Sequence, residues 1–205
     1  MKLRKCTFAD WEFLLFLRND KATRENSLNQ DPVREAEHCS WLRQSLDNPC
    51  REIFILEGAQ SPLAMIREDR HAPQSNEITL SWAVSSHHRG KGIGTQILGN
   101  IVTDRVETFH AEIRDENVPS IRMAEKNGFS KSHPTSSGVS LYKKRGFYEI
   151  ISGIERVRST NNVNWMNILR LAFKHTPTEA KQMMGKVNDG DPSPSPCFPD
   201  CAHSV

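Results

Sequence analysis

The 205-residue chain reads as an α/β domain built on a mixed sheet, followed by a helical extension. Three features predict this. Up to about Tyr148, short apolar runs of strand character alternate with amphipathic helical segments. Between Asn76 and Thr95, one strongly alternating strand leads into a glycine-rich loop and then into a helix. Beyond Tyr148 the pattern becomes purely helical as far as Asn188.

The elements follow in order. Lys2 to Cys6 is a short strand, and Thr7-x-x-Asp10 is a helix start signal ahead of Trp11, Leu14, Leu15 and Leu17. A polar turn at Asn19-Asp20 precedes a second helix from about Val33 to Leu46. Arg51 to Glu57 and Pro62 to Arg67 pair across Gly58-Ala59-Gln60. In Asn76 to Val84, Ile78, Leu80, Trp82 and Val84 alternate with Glu77, Thr79, Ser81 and Ala83. A helical face is spaced over Thr95 to Phe109, and Phe109 to Arg114 is the next strand. Asn117 caps a short helix that stops at Gly128, and a last strand falls within Ser140 to Phe147.

Composition narrows the function classes. Lys+Arg 27 against Asp+Glu 25 is too balanced for a protein that grips nucleic acid through phosphates. No apolar run approaches the roughly 18 residues of a membrane span, and the N-terminus lacks a signal-peptide core. Neither nucleic acid nor membrane is expected as a partner. Cys6, Cys39, Cys50, Cys197 and Cys201 are scattered, with no C-x-x-C pair. That spacing predicts neither a disulfide framework nor a metal site, and a reducing cytoplasm is the expected compartment.

The chemistry-bearing segment is Arg89-Gly90-Lys91-Gly92-Ile93-Gly94. Glycines allow tight turning and bring bare N–H groups up to a ligand. The helix behind them adds the positive end of its dipole, and Arg89 and Lys91 add mobile charge. Together these make a cradle for a pyrophosphate. The spacing matches neither the Walker loop nor the G-x-G-x-x-G dinucleotide fingerprint. A tight strand–helix connection with solvated basic side chains is the alternative.

The loop, read with Val84-Ser85-Ser86-His87-His88 before it, resembles the GCN5-related N-acetyltransferases (GNAT). So does a second block further on, Asn117-Val118-Pro119-Ser120 through Glu125-Lys126-Asn127-Gly128-Phe129. The resemblance covers about Leu3 to Phe147. It implies a mixed, mostly antiparallel sheet flanked by helices, with acetyl-CoA as co-substrate and no metal. It also implies that Arg89, Gly90, Lys91, Gly92, Ile93 and Gly94 hold the CoA pyrophosphate. The backbone of Ala83 and Val84 would then pair with the pantetheine arm, which Asn117 and Ser120 would touch; for these two, helix capping is the alternative.

An amine attacking a thioester needs a base and, for the leaving thiolate, a proton. The resemblance makes Glu77 the candidate base, although an ordinary strand-edge carboxylate fits the same residue. Many relatives carry a Tyr seven residues after the Asn, where this chain has Ala124. The segment with Arg18-Asn19-Asp20, Ser27 and His38-x-x-Trp41 resembles the subgroup acting on nucleotide-linked amino sugars of pseudaminic- and legionaminic-type pathways. By that likeness Arg18, Asn19, Ser27, His38 and Trp41 bind a small-molecule amine acceptor, a UDP-4-amino-sugar. The competing reading gives Arg18 and Asn19 to helix capping and Trp41 to the core. Two alternative functions remain open: a protein N-terminal acetyltransferase of the ribosomal-protein type, and a catalytically silent CoA-binding module.

The domain boundaries expected are 1–147 for the acetyltransferase domain and 148–188 for the extension. Residues 189–205 form a Pro/Ser-rich tail expected to lack a fold. The extension is expected as three short helices that pack on the domain or form a homodimer contact.

Overall fold

The computed structural model describes residues 1–136 and 138–188; the expected tail, 189–205, lies outside them. The described chain divides into two compact units, Met1–Ser152 and a second that begins at Gly153.

The first unit is a seven-stranded sheet: β1 (Lys2–Lys5), β2 (Arg51–Glu57), β3 (Pro62–Arg70), β4 (Glu77–Val84), β5 (Thr108–Arg114), β6 (Ser130–Ser136) and β7 (Val139–Lys144). Its order is β1-β2-β3-β4-β5-β7-β6. Every neighbouring pair is antiparallel except β4 and β5. That parallel pair is joined by α4 (Ile93–Val102), the crossover a parallel connection requires. The other helices of this unit are α1 (Trp11–Asn19), α2 (Lys21–Glu25), α3 (Glu35–Leu46) and α5 (Val118–Lys126).

The alternation in each strand sends side chains to two faces. Ile66, Ile78, Leu80 and Phe109 share a core cluster with Ile97, Leu98 and Ile101 of α4. Ile53 and Ile55 join Leu14 of α1 and Leu42 of α3 in a second cluster. Burying one such aliphatic side chain contributes about 1.5–3 kcal/mol. At the head of the sheet, Asp10 accepts from the Thr7 N–H at 2.8 Å and from both terminal nitrogens of Arg4. The Thr7 start signal therefore also fixes β1 to the first helix.

Four elements differ from expectation. The helix after the glycine loop ends at Val102, because Thr103 is extended and Asp104 has φ 57. The short α2 was not visible: five residues carry no apolar period, and its mark is Asp20, whose carboxylate accepts from Thr23 N at 3.0 Å. Strand β6 is polar, holds Pro134 and has irregular register, all of which suit an edge strand and none of which mimics a core strand. The extension has two helices in place of three, α6 (Phe147–His175, 29 residues) and α7 (Pro177–Asn188). Asn161, Asn162 and Asn164 lower helix propensity by only tenths of a kcal/mol each, about 0.7 at most, so the helix runs on until Pro177.

Gly146 is the tightest point of the backbone: a Cβ there would lie 2.2 Å from Val106 O and 2.4 Å from Glu107 C. Gly146→Ala is expected to destabilise the protein by roughly 2–3 kcal/mol, the cost of forced overpacking. Gly153, helical and with nothing within 4 Å, supplies the contrast: Gly153→Ala is expected to be neutral or to add up to about 1 kcal/mol. Thermal denaturation of the two variants checks both signs.

Candidate active site

Strands β4 and β5 are paired only at their beginnings, through Glu77 with Thr108, Ile78 with Phe109 and Thr79 with His110. Both strands continue, to Val84 and Arg114, without further pairing to each other. An ion network clamps the paired end. Arg70 of β3 reaches Glu107 at 3.0 Å, while Arg105 bridges Glu107 at 2.8 Å and the buried Glu68 at 2.7 Å. The Arg105 hydrogen bond holds the Glu107 carboxyl down at about 2 against the opposing effect of burial. Beyond the clamp, the β4 edge facing β5 is free to take a ligand as an added strand.

Two cavities meet at this opening. One, of about 550 Å³, is lined by Val84, Arg89, Gly90, Gly92, Ile93 and Gly94, with Asn117 and Ser120 opposite. Gly90 and Gly92 have φ of 75° and 77°, a conformation that favours glycine, and they deliver the chain into α4. The first-turn N–H groups of a helix have no intrahelical partner, so α4 presents donors and its positive end here. Asn117 caps α5 through Ser120 N at 3.3 Å, and Ser120 Oγ accepts from the Trp82 indole at 3.3 Å. Both capping and cavity lining hold for these two residues. Lys91 does not line the cavity; its ammonium donates to His87 O at 3.0 Å.

The second cavity, of about 580 Å³, lies on the face of β3, β4 and β5 next to α1 and α3. It shares Thr23, Asn26, Ser27, Trp82, Ala83, Asn117 and Ser120 with the first. Arg18, Ser27, His38 and Trp41 all line it. Arg18 Nη2 donates to Asn29 O at 3.0 Å and Asp31 O at 3.2 Å, while its Nη1 is buried with no partner. His38 is 3% exposed, tilts against Trp41 at 5.4 Å between ring centroids, and has no partner for Nε2. Burial holds the His38 imidazole below its ordinary pKa; a hydrogen bond to the Trp11 backbone opposes this, and Arg18 adds to it. The ring is therefore neutral near pH 7.

Asn19 is placed elsewhere. Its amide donates to Val33 O at 2.8 Å and accepts from Val33 N at 2.8 Å, and it does not line the cavity. Glu77 stands at the paired head of β4 with its carboxylate 4.0 Å from His110 Nε2, on the same sheet face as Thr79 and Ser81. It is exposed and lines neither cavity. Ala124, where relatives carry Tyr, is fully buried in the core, as is Tyr142, and Tyr148 is exposed. Among the described residues no tyrosine lines either cavity. Arg67, Thr23 and Trp82 escaped the sequence reading. Arg67 lines the second cavity and donates to Ser81 Oγ at 3.2 Å, a pairing with no local signature.

His38 and His110 are both held low by burial, the latter despite the nearby carboxylates of Glu77 and Glu149 and in concert with Lys143 and His71. The unfolded chain takes up these protons near pH 6.5, the folded chain only at lower pH. Stability contributed by the neutral rings is thus full above about pH 6.5 and is lost as pH falls below it. The melting temperature is expected to drop as the pH falls, and His38→Gln to drop less steeply. An identical slope in the variant contradicts a buried neutral His38.

Residues 1–130 match the family model described as an acetyltransferase (GNAT) domain. The chain is similar to a ribosomal-protein-alanine N-acetyltransferase from Brucella melitensis, at 22% identity and TM-score 0.59, over 71% of this chain and 99% of that one. It is also similar to yncA, an acetyltransferase from Salmonella typhimurium with its cofactor acetyl-CoA, at 16% identity and TM-score 0.58, over 71% and 93%. A third likeness is to AAC(6')-Ib in complex with paromomycin and acetyl-CoA, at 17% identity and TM-score 0.60, over 72% and 93%. A search of curated proteins finds no match. With its open strand pair, glycine loop and Asn-capped helix in this order, the chain belongs to the GNAT family and is an acetyl-CoA-dependent N-acetyltransferase.

Proposed function

We propose that the chain transfers the acetyl group to the primary amine of a nucleotide-linked amino sugar, by direct attack on the thioester. The observation that carries this reading is the pair of buried, unpartnered groups in the acceptor-side cavity, Arg18 Nη1 and His38 Nε2. A buried polar atom without a partner costs free energy that a ligand recovers by bonding to it. Arg18 offers a charged donor suited to phosphate oxygen. With the hydrogen bond to the Trp11 backbone made through Nδ1, neutral His38 offers a lone pair at Nε2 suited to a hydroxyl or ring N–H. Trp41 beside them supplies an aromatic face for a base or sugar. The ionic lining adds weight, since Arg18, Arg67 and Arg114 outnumber Glu37 and Glu112.

On the donor side, the Arg89–Gly94 loop and the α4 N-terminus hold the pyrophosphate, and the β4 edge at Ala83 and Val84, on the side that faces β5, pairs with the pantetheine amides. Acetyl-CoA supplies the activated acyl group. Glu77, on the face shared with Thr79 and Ser81, takes the amine proton through water rather than by contact. No side chain of this chain is assigned as acid for the leaving thiolate; water serves.

A second reading has its own support. Glu37 and Glu112 in the same cavity are carboxylates that a peptide N-terminal ammonium would meet, which favours a protein acceptor. A thiol-release assay separates the two when run with acetyl-CoA and UDP-4-amino-sugars, aminoglycosides or N-terminal peptides. Turnover is expected with the UDP-amino sugars, and Arg18→Lys is expected to raise the acceptor KM about tenfold by losing its fork of donors. Turnover confined to peptides or aminoglycosides contradicts the sugar reading. In the same assay Glu77→Ala is expected to lower kcat about 100-fold. Full activity places the base elsewhere.

A further inference from the structure

The sequence points to Arg18 and Asn19 as acceptor-binding residues, and the residue that follows them, Asp20, faces the glycine loop. Asp20 sits at the corner between α1 and α2. Its Oδ1 takes three donors: Thr23 N at 3.0 Å, Thr23 Oγ1 at 3.2 Å and Arg89 Nη2 at 2.5 Å. Arg89 is anchored twice more, by Nη2 to Thr23 Oγ1 at 3.0 Å and by Nε to Val84 O at 3.2 Å. Burial works to raise the Asp20 pKa, but Arg89 and the Thr23 N–H outweigh it and hold the carboxyl below its ordinary value. The Asp20 carboxylate is half-buried and the guanidinium more open, so the pair is a partly shielded, charge-assisted bond rather than a solvated surface contact.

These anchors use Nε and Nη2 of Arg89. Nη1 has no hydrogen-bond partner among the described residues, and Arg89 lines the loop-side cavity. A guanidinium held by one edge keeps the other edge for a ligand, with its side-chain entropy already spent. Without the anchors, a long side chain just ahead of two positive-φ glycines has many rotamers to lose on binding. The anchoring carboxylate lies 69 residues earlier in sequence, on the corner that carries Thr23, Asn26 and Ser27 into both cavities.

We propose that Asp20 is a positioning residue for the donor: it holds Arg89 so that Nη1 meets the CoA pyrophosphate, and it ties that contact to the α2 corner shared by both cavities. The inference rests on the reading of the glycine loop as the pyrophosphate site. It also divides the Arg18-Asn19-Asp20 run by task. Arg18 and Asn19 fasten the stretch from Asn29 to Val33, and Asp20 fastens the donor loop.

Calorimetric titration of the full chain with CoA tests this in a double-mutant cycle of Asp20→Asn, Arg89→Gln and the two combined. Asn caps a helix as well as Asp, so Asp20→Asn removes the ion pair while keeping the Thr23 N–H satisfied. The single variant is expected to bind CoA at least about fivefold more weakly, with an unchanged melting temperature. Added to Arg89→Gln it is expected to cost less than about twofold, because its partner is already gone. Wild-type affinity in Asp20→Asn, or an equal loss in the Arg89→Gln background, overturns the proposal. If Asp20→Asn fails to fold, Thr23→Val removes the Oγ1 bonds to Arg89 and to Asp20 while leaving the ion pair; the expected result is weaker CoA binding, and unchanged binding is contrary. Failure of the wild type itself to bind CoA overturns the loop reading and, with it, this inference.

Discussion

The arrangement depends on one constraint: a parallel strand pair that is fastened at one end and open at the other. Parallel strands normally bond along their shared length, yet β4 and β5 exchange partners only as far as Thr79 and His110. The Arg70–Glu107–Arg105–Glu68 network holds the closed end, so the opening does not propagate back through the sheet. Backbone groups on the side of β4 that faces β5, those of Trp82 and Val84, are costly to leave unbonded in a folded protein. A ligand bearing amide groups in an extended arm satisfies that need and is aligned by it.

The two cavities follow from the same opening. One lies where β4 runs into the glycine loop, the other where the β4 face passes under α1 and α3, and both contain Trp82, Ala83 and Ser120. A ligand lying along the β4 edge therefore sits beside the residues that the two cavities share. The corner at Asp20 and Thr23 is the structural link between the halves, because its side chains bond to the loop while its helix lines both spaces. Arg18 Nη1 and His38 Nε2, buried in the second cavity without partners, are polar atoms that a bound ligand would satisfy.

What was legible in the sequence is what the backbone itself demands. Glycines forced by positive φ at 90 and 92, the Asn117 cap, the Gly128 terminator and the alternation of β4 each leave a local trace. The polar edge strand β6 and the five-residue α2 leave almost none, since neither buries a periodic face. Side-chain roles were harder. Arg18, Asn19 and Asp20 are adjacent in sequence but serve three partners, and only folding separates them. Arg67 with Ser81, or Asp20 with Arg89, meet across long sequence separations that no spacing rule encodes. The unbroken α6 was hidden by its asparagines, which look like boundaries yet cost too little to end a helix.

The open β4 edge is tested most directly by amide hydrogen exchange with and without CoA. If the pantetheine arm adds as a strand to that edge, the amides of Trp82 and Val84, which point away from β3, and of Gly90 to Gly94 slow together on CoA addition, while those of Ile78 and Thr79, already inside paired sheet, change little. Protection that appears in the loop but leaves Trp82 and Val84 exchanging as in the free protein contradicts it.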